Sequence, residues 1–369
     1  MSISRRGNSW RARCYGPDGR QRNKSFKRKS DAERWLTQQQ NEIMKGDWID
    51  PVRGRVTFGE FLPIWRETRT NAKPKTRYQQ ESVLKLHILP TWETIQLDRF
   101  TFDGLSRWVS KMTRGGVGWS SIRQSVRVMS AVLEHAVRTG RIRSNPARGL
   151  PLPRPRRRDH VFLTHRQLAG LAGAAGRGRL LVLVLGYTGL RWGEATALRV
   201  CDIDLSRRRI DVRRAFSDVG GTIVLGTPKS HHGRTVPLPR FLAVELADAT
   251  QAKKSDDLVF TTATGTMLRL SNWRRWVFLP AREQSGVSGR FRIHDLRHTA
   301  AALMIQAGYP PKMLQEILGH ASITTTLDLY GHLYPGDMDK YADRLDAAAS
   351  DATGKAKTRP DDEKDDPED

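Results

Sequence analysis

The stretch HDLRHTAAALMIQAGYPPKMLQEILGHASITTTLDLY, residues 294–330, decides how the chain is read. Its apolar positions Leu296, Ala300 and Leu303, then Met313 and Ile317, recur at helical spacing, and Ala307-Gly308-Tyr309-Pro310-Pro311 interrupts them, so short helices joined by tight turns are expected. His294 and Arg297 share a helix face, where an imidazole and a planar guanidinium converge on one oxygen-rich group such as a phosphate. Gly319 is the expected stop of the second helix, His320 follows it, and a third helix starting near Ser322 carries Tyr330. Singly, each residue has an ordinary reading: a helical histidine is usually structural, and a tyrosine near a helix end is usually packing. His298 lies about 100° around the helix from Arg297 and reads as structural. No cluster of carboxylates suited to magnesium lies in the stretch, so the reading calls for no metal and no cofactor.

The order of these residues, H-x-x-R, then L-G-H, then a tyrosine, resembles the C-terminal signature of the tyrosine recombinases, the phage integrase family. Upstream, GYTGLRWGEATAL (186–198) resembles the family's first arginine box, with Arg191 as the arginine and Glu194 at the acidic position. TPKS (227–230) resembles the hairpin lysine, which puts Lys229 in that role. The resemblance implies a site-specific DNA recombinase that integrates phage or mobile-element DNA into a bacterial chromosome through a 3′-phosphotyrosyl intermediate, without ATP. Arg191 and Arg297 would clamp the non-bridging phosphate oxygens, and His320 would add a donor. Tyr330 would attack, with His294 assisting removal of its proton, Lys229 protonating the departing 5′-oxygen and Glu194 orienting an arginine or histidine. Double-stranded DNA attachment sites and a homotetramer on DNA are the implied partners, with an integration host factor and an excisionase as accessory proteins. A type IB topoisomerase and a non-catalytic DNA-binding regulator are the competing readings.

The chain of 369 residues exceeds what one core usually organises. Its net charge of +24 points to a polyanionic partner, and the basic residues are spread along it as for an extended DNA footprint. Cys14 and Cys201 lie far apart and read as reduced core residues. No apolar signal core opens the chain, and its longest apolar run, Leu180 to Leu185, is too short to span a bilayer, so a cytosolic, nucleoid-associated protein is expected.

The fold class expected is multidomain α+β. Residues 1–55 read as a small sheet plus helix, with 14 Lys and Arg against 6 Asp and Glu, resembling an arm-type DNA-binding domain. Trp10, Ala12 and Cys14 alternate with Arg11, Arg13 and Tyr15, GPDG (16–19) turns the chain, Gln21 to Phe26 returns, and a helix from Ser30 covers one face. Arg11, Arg13, Arg22 and Lys24 are expected to meet DNA.

Residues 57–148 read as an all-α core-binding domain. Its stripes are Phe58-Phe61-Leu62-Trp65, Tyr78-Val83-Leu86-Leu89 and Ile122-Val126-Met129-Leu133-Val137, with Arg123 and Arg127 facing DNA. The linker GLPLPRPRRRDH (149–160) is extended by its prolines, and its Arg154 and Arg156 are expected phosphate contacts. Residues 161–348 read as a mostly α catalytic domain with a small antiparallel sheet (209–213, 222–225 and 235–238), and His231 and His232 beside Lys229 as further DNA contacts. Residues 349–369 read as a disordered acidic tail. Ile323-Thr324-Thr325-Thr326 has poor helix propensity, which predicts a loosely held segment with Tyr330 undocked.

Overall fold

The computed structural model describes residues 1–45, 50, 53–153, 160–228, 233–334, 336 and 338–353. Helices and small antiparallel sheets alternate as an α+β chain, divided into two compact units: residues 1–158 with 219–221, and the remainder of 159–369.

The first unit opens with strands β1 (Ser2–Arg6), β2 (Ser9–Tyr15) and β3 (Gln21–Phe26), in that order, covered by helix α1 (Lys29–Met44). β1 was not anticipated, because SISRR holds one apolar residue. The signal available was Gly7-Asn8, a two-residue loop closed by the Arg6↔Ser9 pair. Gly7 sits at φ 58°, as a primed hairpin turn requires of its first residue. Cross-strand partners share a face, so the register sorts the side chains. Ala12 faces Lys24 and Cys14 faces Arg22 on the α1 side, while Arg11 faces Ser25 and Arg13 faces Asn23 on the open side. Ala12, Cys14, Ala32 and Leu36 form the buried core there.

Helices α2 (Phe58–Glu67), α3 (Pro74–Val83), α4 (Leu89–Trp92), α5 (Phe102–Arg114) and α6 (Trp119–Arg138) follow around a separate core. Thr57 and Glu60 close a reciprocal capping box at the start of α2. The first and third apolar stripes are buried as expected, apart from the half-buried Val137. The second is out of phase: Tyr78 is 52% and Leu86 63% exposed, whereas Leu84, Ile88 and Trp92 are buried. The cause is a π turn over Leu84–Ile88, in which Leu89 N donates to Leu84 O. Pro90 brings no N–H and its ring crowds the carbonyl four residues back, so the turn ahead of it widens by one residue. The same arrangement recurs at Arg274–Phe278, ahead of Leu279-Pro280, where Trp276 is 68% exposed. In both, the apolar residue four before the proline is turned outward.

The second unit contains α7 (His165–Ala174), α8 (Arg179–Thr188), α9 (Trp192–Thr196), β4 (Ile203–Asp204), β5 (Arg209–Val212), β6 (Ala215–Val219), β7 (Thr222–Gly226) and β8 (Arg234–Pro237). Then come α10 (Arg240–Thr250), α11 (Leu270–Trp273), α12 (Leu279–Gln284), α13 (Asp295–Gln306), α14 (Pro311–Leu318), α15 (Ile323–Tyr330) and α16 (Met338–Thr353). The expected strands are present, but they divide into a β4-β5-β8 sheet and a β6-β7 hairpin rather than one sheet. α8 is the centre of the core, with Leu181 to Leu185 all buried, and α13 brings Ala300 and Ala301 into the same cluster. α16 runs to Thr353, so residues 349–353 continue a helix instead of beginning a tail. Cys14 is buried, whereas Cys201 is exposed and not a core residue.

Gly193 fixes how closely α9 approaches β6: a Cβ there would lie 2.2 Å from the backbone oxygen of Phe216. Replacing it by alanine sets a methyl against backbone, and the Gly193→Ala chain should lose about 1–3 kcal/mol of stability, read as a lowered denaturant midpoint.

Candidate active site

Arg191, Glu194, Arg297 and His320 are brought to one place, at the C-terminal end of α14. That end leaves carbonyls without helical partners. Three successive ones are each taken by a different guanidinium. Arg234 Nε donates to Ile317 O at 2.7 Å, Arg297 to Leu318 O at 2.5 Å and Arg191 to Gly319 O at 3.4 Å. Gly319 stands in the left-handed region at φ 65°, which turns the chain out of α14 and presents His320.

Each arginine comes from a different element. Arg191 is the residue before α9, delivered by α8 and the left-handed Gly189, whose oxygen also accepts from Arg297 at 2.6 Å. Arg297 is on α13 and is buried, and burial together with the like charge of Arg191 lowers its pKa while leaving it protonated at neutral pH. Arg234 opens β8. Its two terminal nitrogens grip Glu194 at 3.0 and 2.6 Å, while Arg191 holds the same carboxylate through a side-chain nitrogen at 2.8 Å and its backbone N–H at 2.9 Å. Burial alone would push the Glu194 pKa up; the bonds and charges of Arg234 and Arg191 overcome it and hold the group at about 2. Sequence reading assigned Glu194 a supporting role and missed Arg234 altogether. Its position at the start of the strand after the lysine segment was the available signal.

His320 is half-buried, with Nδ1 2.9 Å from the hydroxyl of the buried Thr326. Burial, and then the charges of Arg297, Arg191 and Arg234, lower its pKa to about 4, so the neutral ring keeps one N–H to donate. His294 reaches solvent at the start of α13, where the crowding of surrounding atoms and the charge of Arg297 lower its pKa.

Tyr330 corrects two expectations. It is fully buried at the end of a regular α15, whose start is capped by Ser322, so it is docked and not loose; the fixed Thr326-His320 bond helps offset the poor propensity of the threonines. Its hydroxyl meets His298, at 2.8 Å from Nδ1, and not His294. His298 is buried on the side of α13 that faces α15, because a step of one residue from Arg297 turns the side chain away from the arginines and toward the tyrosine. Burial, then His160 and His294, take the His298 pKa down to about 4, and burial takes Tyr330 up to about 12.

Lys229, His231, His232, Arg154 and Arg156 lie outside the described residues. Arg123 and Arg127 are exposed one turn apart on α6. Arg22 is not free for a ligand: its guanidinium is committed to Asp50 at 2.8 and 2.5 Å and to Asp18 at 3.1 Å. Lys24 lies on the helix-covered side, against the Phe26 ring. The open face keeps Arg11 and Arg13.

The phage integrase family matches residues 162–336, the phage integrase N-terminal domain residues 4–45, and the phage integrase N-terminal SAM-like domain residues 57–113. An integrase assigned to prophage phiRv2 of Mycobacterium tuberculosis is 31% identical over 342 residues, covering 89% of each chain. The ICEBs1 integrase of Bacillus subtilis is 26% identical, covering 79% of this chain and 83% of its own. Among solved structures, the Tn1549 transposon integrase in complex with transposon right end DNA superposes with a TM-score of 0.67 at 21% identity, over 80% of this chain and 100% of that one. A lambda integrase dimer bound to a core site gives 0.58 at 18% identity, over 89% and 93%. The chain belongs to the phage integrase family: it is a tyrosine-type site-specific recombinase.

Glu194 gives a pH test of the arginine node. The folded chain holds the carboxylate charged more strongly than the unfolded chain, so the stability it supplies is present above about pH 4.5 and is lost as pH falls toward 2. Glu194→Gln should cost about 3 kcal/mol at pH 7, with the gap to the parent chain narrowing below pH 4.5 in denaturant titrations.

Proposed function

We propose that this recombinase integrates mobile-element DNA into a bacterial chromosome, with Tyr330 as nucleophile and Arg191, Arg297, His320 and His294 as the phosphate-binding set. The observation that carries the reading is the α14 terminus, where the guanidiniums of Arg191 and Arg297 are oriented beside His320 by carbonyls and Glu194. Guanidiniums held in advance bear the charge that builds on a phosphate under attack without reorganising first. Lys229 is proposed to protonate the departing 5′-oxygen, and Glu194 and Arg234 to position the arginines.

His298 takes the Tyr330 proton in this reading, while His294, open to solvent beside Arg297, faces the phosphate. A donor near 12 against an acceptor near 4 leaves the proton on the phenol in the free chain. Cleavage therefore waits for DNA, whose phosphate draws the arginines' positive field onto the reacting centre. Double-stranded attachment sites are the proposed substrate, four copies the proposed assembly on two duplexes, an integration host factor and an excisionase the accessory partners, and the bacterial cytoplasm and nucleoid the location. No helix among the described residues is long and apolar enough to cross a membrane. Residues 1–55, 57–148 and 161–348 are the proposed arm-binding, core-binding and catalytic domains, joined by the 149–160 linker and ending in an acidic tail.

A nicked duplex carrying the candidate attachment site traps the covalent intermediate. The parent chain should form a DNA adduct, Tyr330→Phe none, and Arg297→Ala should slow its formation by about a thousandfold or more. Adding the second site should yield recombinants; relaxation of any plasmid without recombinants would instead indicate a topoisomerase.

The open face of the N-terminal sheet supplies a second check. Arg11→Ala and Arg13→Ala should each weaken DNA binding and reduce the slope of log affinity against log salt by about one. Arg22→Ala should leave that slope alone and lower stability, because its partners are Asp50 and Asp18. A loss of slope for Arg22→Ala comparable to the other two would overturn this assignment.

A further inference from the structure

Among the described residues, one group of metal-ligating side chains stands behind the site: His160, Asp295 and His298, whose candidate ligand atoms all lie within 4.8 Å of one another. Asp295 and His298 are three apart on the first turn of α13 and so share a face. His160, just ahead of α7, lays its ring 4.3 Å from that of His298, tilted by 40°. Asp295 is buried; one carboxylate oxygen accepts from a terminal nitrogen of Arg292 at 3.0 Å, the other from the Arg292 backbone N–H at 2.8 Å and Nε at 3.2 Å. The first oxygen therefore keeps a lone pair. His298 uses Nδ1 on Tyr330, which leaves Nε2. Catalysis by the arginine node uses neither His160 nor Asp295.

We propose that His160, Asp295 and His298 form a binding site for a divalent transition-metal cation, of which Zn2+ fits best, and that its occupancy switches off Tyr330. Two imidazoles and one carboxylate are a common zinc ligand set that leaves a fourth position for water. The carboxylate is already oriented by Arg292, as ligands of bound metals usually are by an outer partner. The positive charge of Arg292 and Arg297 opposes the cation, which weakens its binding and keeps it reversible. A metal on Nε2 fixes the imidazole proton on Nδ1, so His298 becomes a donor to the Tyr330 oxygen and cannot accept the phenol proton. No other group is hydrogen-bonded to that hydroxyl among the described residues. The bound cation is thus a brake, acting through His298, and takes no part in the cleavage chemistry.

The brake rests on Tyr330 as nucleophile; the binding site does not, and the two are measured separately. Zn2+ is titrated calorimetrically into the full chain and into His160→Asn, with Co2+ as a visible-absorption probe of the ligand field. One equivalent should bind, at least about tenfold more weakly in the variant, with the Co2+ absorption of the bound form lost. On the nicked duplex, Zn2+ should lower adduct yield of the parent chain at least tenfold, a chelator should restore it, and His160→Asn should form adduct in Zn2+ at its metal-free level. Equal binding by both chains would overturn the site, and inhibition undiminished in His160→Asn would overturn the brake. If neither chain forms adduct without metal, the proposed nucleophile fails while the titration still decides the site.

Discussion

Three carbonyls at the end of one short helix organise the second unit. Ile317, Leu318 and Gly319 would each leave an oxygen unpaired as α14 ends, and the partners they receive are guanidiniums from β8, α13 and the segment before α9. The negative end of the helix favours cations there, but three of them repel one another, and Glu194 is the counter-charge that makes the gathering stable. Because the carboxylate is buried and held by both Arg191 and Arg234, neither arginine can shift without unpairing it. The arginines' rigidity thus has a cause several residues removed from any phosphate.

The residues that were legible in the sequence are those whose identity alone carries chemistry. The signature over 294–330, the arginine box and the glycines at 189 and 319 could be located before any coordinates, since each depends on a short local pattern. What escaped depends on contacts distant in sequence. Arg234 looked like any basic residue of a basic chain until its partners at 194 and 317 were seen. His298 was set aside because helix geometry turns it from Arg297, and that same geometry aims it at Tyr330. Arg22 and Lys24 were placed with Arg11 and Arg13 by charge, whereas strand parity sends the two pairs to opposite faces. β1 was lost for want of apolar residues, and the Thr-rich start of α15 misled because tertiary bonds outweigh propensity.

The Tyr330 to His298 contact changes how the tyrosine should be pictured. A phenol sealed in the core with its hydroxyl satisfied is a stable packing element of the free chain, and it belongs to the same hydrophobic cluster as α8 and α13. The proposed role of nucleophile asks a core residue to present its oxygen to DNA, so part of the core must be cheap to rearrange. α15 meets that requirement, since its buried residues are Thr326 and Tyr330 and little else.

The two leucine-proline π turns bear on how such a chain tolerates change in length. Each holds one residue more than an α-helix needs, and everything beyond it is set by that surplus: Trp92 after the first, Ala281 after the second. A single-residue deletion inside a helix ordinarily swings all later side chains by about 100° and empties the core. Here, a deletion paired with loss of the proline would absorb the surplus and restore an unbroken helix. A one-residue deletion in this chain therefore has two places inside helices where it can settle, in addition to the loops.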